Sequence, residues 1–362
     1  MKSLPPFPWD RLAPLADKAR THPGGAVNLS MGTPVDPVPA VVQDALKAAS
    51  DRPGYPQTIG TVALRQAMDA WVRRECGATG EFGVLPTIGS KEMVAGLPAA
   101  LGIGGTATVA IPRLAYPTYE IGAHLAGARC VRVDDPSFGT DSRLRLIWVN
   151  YPSNPTGEVL PAKQLRKVVN WARTRGIVVA SDECYLTLGW ERHQVSILDP
   201  EVCGGDTTGI LAVHSLSKRS NLAGYRAGFI AGDPELIAGL TELRKHAGQI
   251  LPAPVQDAMT AALSDEDHAA EQRERYRRRR DLLRPAFEKA GFRIEHSAAG
   301  LYLWATRDED CWDTVAELAR LGIVVAPGEF YGPAGAHHVR IALTAGDERV
   351  AAACDRLTEL AA

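Results

Sequence analysis

The chain has 362 residues, 45% of them hydrophobic, with 40 Lys and Arg against 42 Asp and Glu and a formal net charge of −2. That length allows a large buried core and suggests two domains, or one large domain with an appendage. The near balance of charge gives no electrostatic reason to expect nucleic acid or an anionic membrane as a partner, so small-molecule chemistry is the expectation.

The opening MKSLPPFPWDRLAPL is rich in proline and lacks the apolar core of an export signal, and no window approaches the ~18 uninterrupted apolar residues of a membrane span. Cysteines 76, 130, 184, 203, 311 and 354 form no C-x-x-C or ligand-like cluster. This argues against a disulfide scaffold and a zinc site, with no metal expected, and suits a reducing cytoplasm. LSMGTPVDPVPAVVQDALKAA then reads as a turn-rich loop and a helix from about Pro39.

Short β-branched runs follow: TATVAIP at 106, ARCVRV at 128, LRLIWVNYP at 144, GIVVASDE at 176, GILAVHSLS at 209 and AGFIAGD at 227. They alternate with helical segments such as SKEMVAGLPAALG and PAKQLRKVVNWARTRG, the βαβ pattern of a mostly parallel sheet covered on both faces. This α/β unit is assigned to residues 40–250. Residues 1–39 and 251–362 are assigned to a smaller α+β domain, in which a long charged helix precedes FRIEHS, LYLWAT, GIVVAPG and HVRIALT as strands around one further helix. The run Arg277–Arg280, beside Glu271, Glu274 and Asp281, reads as a solvated, salt-bridged face.

Parallel sheets bind ligands at the carboxyl ends of their strands, which directs attention to TIGSKE at 87, NYPSNPTG at 150, ASDECY at 180 and HSLSKRSNLAGYR at 214. Each is ambiguous alone. Lys218 could be a surface charge, Ser90 an N-cap with Glu92 in the first turn, Asp182 a turn cap, and Asn154 part of an Asn-Pro turn with Gly157. In this order and spacing, however, the four resemble the fold-type I aminotransferases that use pyridoxal 5'-phosphate, and the resemblance runs from LSMGTP to VRIALT.

That resemblance implies a large domain with a mostly parallel seven-stranded sheet and a smaller α+β domain. It implies that Lys218 forms the Schiff base with the cofactor and afterwards carries the proton between Cα and C4′. Ser215 and Arg226 would hold the phosphate, with Gly89, Ser90 and Lys91 completing the cup at a helix N-terminus. Asp182 would pair with the pyridinium nitrogen, Tyr185 and Asn154 would reach O3′, and Tyr116 would stack on the ring, with Tyr119 as the alternative. Arg340 would grip the substrate α-carboxylate by its fork, helped by Asn154 and by the close backbone of Gly32. Tyr55 would reach the phosphate of the neighbouring subunit's cofactor, making the active unit a homodimer. Glu183 and Cys184 are given no chemistry.

Finer features, among them WDRLAPL, GTPVDPVP, SDECYLTLGW, RKHAGQILPAPVQ and GEFYGPAGAHHVRIALT, resemble the actinobacterial N-succinyl-LL-diaminopimelate aminotransferases. This implies amino transfer between glutamate and N-succinyl-2-amino-6-oxopimelate in diaminopimelate and lysine biosynthesis, and cations beyond Arg340 for the distal carboxylates. Arg113, Lys245 and His246 are candidates, with an ordinary exposed charge as the alternative for each. Other readings are an aminotransferase for another dicarboxylic or aromatic amino acid, or a C–S lyase of the same fold. A cofactor-binding regulator would need a fused DNA-binding segment or a basic stripe, and the sequence has neither.

Overall fold

The computed structural model describes residues 4–134, 141–191 and 194–360. A short strand, β1 (Val27–Asn28), precedes seven that build the larger sheet: β2 (Gly83–Ile88), β3 (Thr108–Pro112), β4 (Arg129–Val133), β5 (Leu144–Asn150), β6 (Val178–Asp182), β7 (Ile210–Ser215) and β8 (Ala227–Gly232). In space they run β2-β8-β7-β6-β5-β3-β4. Every pairing is parallel except those of β8, which is antiparallel to both β2 and β7.

Alternation along each strand fills both faces, because successive side chains point to opposite sides. Leu146 and Trp148 of β5 pack with Leu97 and Tyr119, while Ile147 and Val149 pack on the other face with Trp71 and Val168. The order of connection reverses between β3 and β5, so loops after these strands diverge and leave a crevice at their carboxyl ends. Each of the six anticipated strands of this sheet is present. The seventh, β2, lies outside the expected apolar runs: it contains Pro86 and pairs on one side only, at the sheet edge where a missing N–H is tolerated.

The smaller sheet comprises β9 (Arg293–Glu295), β10 (Tyr302–Thr306), β12 (Ala326–Pro327) and β13 (Val339–Ala342), ordered β12-β13-β10-β9 and antiparallel throughout, while β11 (Ile323–Val324) pairs in parallel with β1. GIVVAPG is therefore two strands in two sheets. Leu12, Ala19, Val27 and Leu29 join Tyr276, Leu283, Leu303 and Ile341 in one core, which draws the N-terminal segment to this unit. The helix Ala253–Ser264 does not follow: Leu251, Ala258, Met259 and Leu263 pack with Leu64 and Met68 of the larger unit. The change comes within the next helix, Asp267–Lys289: His268 and Gln272 still bond to Ser220 and Asn221, and Tyr276 and Leu283 join the smaller core.

The expectation for Arg277–Arg280 is half wrong. Arg277 lies on the exposed side of the helix Asp267–Lys289, paired with Glu274 and Asp281. Arg279 and Arg280 are buried. Helical spacing puts 276, 279, 280 and 283 on one inward face, and partners distant in sequence neutralise the two charges. Arg279 donates to both oxygens of Asp36 at 2.8 and 2.6 Å and to Asp347 at 2.7 Å, and Arg280 donates to Glu191 at 2.6 Å and to the Ser297 carbonyl at 2.8 Å.

Candidate active site

At the carboxyl end of the larger sheet a cavity of about 1040 Å³ opens between the two units. Every residue expected to hold the cofactor or the α-carboxylate lines it except Gly89 and Tyr55. Gly89 supports it from behind, as shown below, and Tyr55 is fully exposed and lies outside the cavity of its own chain.

Lys218 sits one turn beyond β7, in the short helix Leu216–Arg219, whose N-cap Ser215 accepts a hydrogen bond from the Ser217 amide at 3.1 Å. Tyr276 donates to the Lys218 carbonyl at 3.2 Å, and the Lys218 amine donates to the Gly32 carbonyl. Burial lowers the lysine pKa from its ordinary value, partly opposed by the Tyr302 hydroxyl. Gly32 has no room for a side chain, since a Cβ there would collide with the Tyr302 hydroxyl.

One end of the cavity is rich in donors. The helix Ser90–Ala100 starts after Gly89, which holds the N-cap position with φ 70°; the Ser90 N-cap reading is thus shifted by one residue. A left-handed backbone suits glycine, and a Cβ at this position would run into the Arg226 guanidinium. Arg226 is anchored by a 2.8 Å hydrogen bond to the Ala223 carbonyl. Lys91 lies beside it and 5.4 Å over the Phe7 ring, and burial with the nearby Arg226 charge lowers its pKa. Free amides of the helix start, two cations and the Ser215 and Ser217 hydroxyls form a donor set for a phosphate, which is what pyridoxal phosphate requires. Ser217 is not among the residues the sequence singles out.

Asp182 ends β6 at the cavity floor. Its Oδ2 accepts from the Tyr119 hydroxyl at 2.7 Å and its Oδ1 from the Cys184 amide at 3.2 Å; burial raises the carboxyl pKa, and these bonds oppose the rise. Tyr119 is stacked on Trp148 at 4.9 Å and does not line the cavity, whereas Tyr116, edge-on to it at 5.8 Å, does. Of the two tyrosines, Tyr116 is the one that can face a bound ring. Asn150, at the end of β5, bridges the strand ends: it donates to the Asp182 carbonyl at 2.8 Å and accepts from the Asn154 amide at 2.8 Å. Tyr185 lies 3.0 Å from the Tyr302 hydroxyl. Neither Asn150 nor Tyr302 is identified by the sequence; each acts through partners far along the chain.

Arg340 comes from β13, an inner strand, and only 3% of it is exposed. Its guanidinium lies 3.8 Å from the Tyr302 ring centre and 4.9 Å from that of Tyr331. One terminal nitrogen donates to Asn154 Oδ1 at 2.8 Å and the other to the Ser30 carbonyl at 2.7 Å, while Nε is buried without a partner. Glu183 does not line the cavity and accepts from Ser181, Ser196 and the Ile197 amide; Cys184 does line it.

Of the cations offered from the sequence for the distal carboxylates, Arg113 and Lys245 fit the ordinary exposed-charge reading. Arg113 is exposed and paired with Asp134 at 3.4 Å, Lys245 is exposed and paired with Glu242 at 3.6 Å, and neither they nor His246 line the cavity. Arg11 and Arg132 do. Arg132 follows from the strand ending at Val133, and Arg11 from the N-terminal segment, whose return to the site is a matter of tertiary packing.

The profile of the aminotransferase class I and II family matches residues 25–357. The chain is 58% identical to the 4-dedimethylamino-4-oxo-anhydrotetracycline transaminase of Streptomyces rimosus, covering 99% of this chain and 100% of that one. It is 59% identical to a probable aminotransferase of Mycobacterium tuberculosis, over 98% and 86% of the two chains. Among solved structures, a probable N-succinyldiaminopimelate aminotransferase from Thermus thermophilus is 26% identical with a TM-score of 0.88, over 98% of this chain and 100% of that one.

Proposed function

The chain belongs to the class I and II aminotransferase family, and on that premise we propose that it interconverts N-succinyl-LL-2,6-diaminopimelate and 2-oxoglutarate with N-succinyl-2-amino-6-oxopimelate and glutamate. The observation that carries this reading is one cavity lined both by Arg340, which is buried near Lys218, and by the more exposed Arg11 and Arg132. Such a cavity suits a long substrate with carboxylates far from the reacting carbon. The likeness to the Thermus thermophilus structure supports the same substrate class.

Pyridoxal phosphate is the cofactor, and when bound it supplies an electron sink for the substrate carbanion. We assign its phosphate to Ser90, Lys91, Ser215 and Arg226, with Gly89 leaving space for Arg226. Asp182 would hold the proton on the pyridine nitrogen. Tyr185 and the Nδ2 of Asn154, whose Oδ1 is taken by Arg340, would donate to O3′. Tyr116 would cover the ring. Lys218, its amine made easier to deprotonate by burial, would move the proton at the substrate Cα. Arg340 would orient the α-carboxylate, with Gly32 keeping the backbone close. The exposed Tyr55 is assigned to the neighbouring subunit's phosphate in a homodimer.

A second reading comes from the Streptomyces rimosus relative, which acts on a polycyclic ketone, and from the apolar wall of Phe7, Trp9, Met31, Ile121 and Phe330. Assaying glutamate with the succinylated oxo acid and with aromatic and polycyclic ketones separates the two. Turnover of the succinylated acid is expected at the highest kcat/KM; no turnover of it, beside efficient turnover of an aromatic ketone, would overturn the substrate assignment.

A further inference from the structure

Arg11 lies in the turn Pro8–Leu12, which is fastened to the smaller unit: Leu12 is buried in its core, and Trp9 packs on Phe330 with ring centres 5.2 Å apart. The turn therefore holds Arg11 on the wall of the cavity that contains Lys218 and Arg340. The Arg11 guanidinium pairs with Glu329 at 3.3 Å and lies 4.9 Å over the Trp312 ring. Glu329 has a second donor, the Trp312 indole N–H at 2.6 Å. Glu329 and Tyr331 share the turn Gly328–Tyr331, and Tyr331 packs its ring on Arg340, so the two guanidinium groups flank one turn.

Arg132, which also lines the cavity, holds three acceptors: Glu120 at 2.7 Å and the carbonyls of Tyr331 and Arg113 at 2.9 and 3.2 Å. Diverting it would strip acceptors on two segments. Arg11 differs: when it turns away, Glu329 keeps the indole N–H and, with 40% of its side chain exposed, gains water. We propose that Arg11 is the residue that receives the distal carboxylate of a dicarboxylic substrate, exchanging Glu329 for it while Arg340 holds the α-carboxylate. The inference rests on the dicarboxylic reading above and adds the residue that selects for it.

The test uses unreactive probes on the cofactor-loaded enzyme: calorimetric Kd values for pimelate and for heptanoate, equal in length but with two carboxylates and one. The wild type should bind pimelate more tightly by about tenfold or more, and Arg11→Gln should abolish most of that ratio while leaving the heptanoate Kd unchanged, which also shows that the variant is folded. Arg11→Lys should restore part of it. A wild type without preference for pimelate, or a preference that survives Arg11→Gln, would overturn the proposal. If the preference depends on Arg11 but the succinylated oxo acid is not turned over, the substrate assignment fails and the role of Arg11 stands.

Discussion

The hydroxyl of Tyr119 donates a 2.7 Å hydrogen bond to Oδ2 of Asp182, from a ring that is buried and stacked on Trp148. Burial raises the Asp182 pKa, and the bonds from Cys184 and Tyr119 pull it back. Tyr119→Phe keeps the ring and removes one donor to the charged form, a change worth about 1.5–3 kcal/mol, or roughly one to two pH units. The carboxylate must be ionised to hold a proton on the cofactor nitrogen, so the acid limb of kcat/KM should move to higher pH by about that amount. Coincident acid limbs for wild type and variant would show that Tyr119 serves only packing.

Burial lowers the pKa of Lys218 from its ordinary value, so its charge is easier to lose. Lys218→Ala should lower turnover by roughly 10²–10⁴-fold or more, as expected when a group that moves a proton is removed. Lys218→Arg retains a positive charge but cannot deprotonate, and should be equally inactive. The comparison is made by single-turnover kinetics, with cofactor retention measured separately. An active arginine variant would mean that the charge of this residue matters and its free amine does not.

At Gly89 a methyl group would meet the Arg226 guanidinium, on a backbone with φ 70°. Gly89→Ala should therefore push Arg226 out of place and weaken cofactor binding by about tenfold, beyond a backbone strain of ~1–3 kcal/mol. Gly102 provides the control, because it has a similar φ of 68° but no neighbouring atom within 4 Å of the place a Cβ would take. Gly102→Ala should cost stability and leave the cofactor Kd unchanged. Equal effects of the two variants on that Kd would rule out displacement of Arg226 as the cause.

These residues also show what a linear reading can and cannot reach. Asp182, Ser215 and Lys218 are legible because each follows directly from an apolar strand whose periodicity and end are local properties. Tyr119 and Asp182 are 63 positions apart, and Asn150 and Asp182 are 32 apart, so their pairing depends on which strands become neighbours. Arg279 and Arg280 look solvated in the sequence because their carboxylate partners, Asp36 and Glu191, lie 243 and 89 positions away. Arg11 escapes notice for the same reason: nothing near it in sequence reveals that the N-terminal turn folds back onto the cavity.

Beneath the site, His214 and Glu183 lie 4.0 Å apart, both buried, and their titrations oppose each other. Burial holds His214 down at about 3, from an ordinary 6.5. Burial also pushes Glu183 up to about 7 from 4.5, despite hydrogen bonds from Ile197, Ser196 and Ser181. Between about 3 and 6.5 the unfolded chain binds the histidine proton and the fold does not, so this group makes stability rise with pH. Between 4.5 and about 7 the fold keeps the Glu183 proton and the unfolded chain releases it, so this group makes stability fall with pH. The two cancel where the windows overlap. Glu183→Gln removes the falling contribution, about 1.4 kcal/mol per pH unit, and leaves every other titrating group in place. Urea unfolding of both proteins at pH 4.5, 5.5 and 6.5 should therefore show the variant gaining on the wild type by about 2–3 kcal/mol across that range. A difference between the two that does not change with pH would mean that Glu183 is ionised in the fold, and that its three donors outweigh its burial.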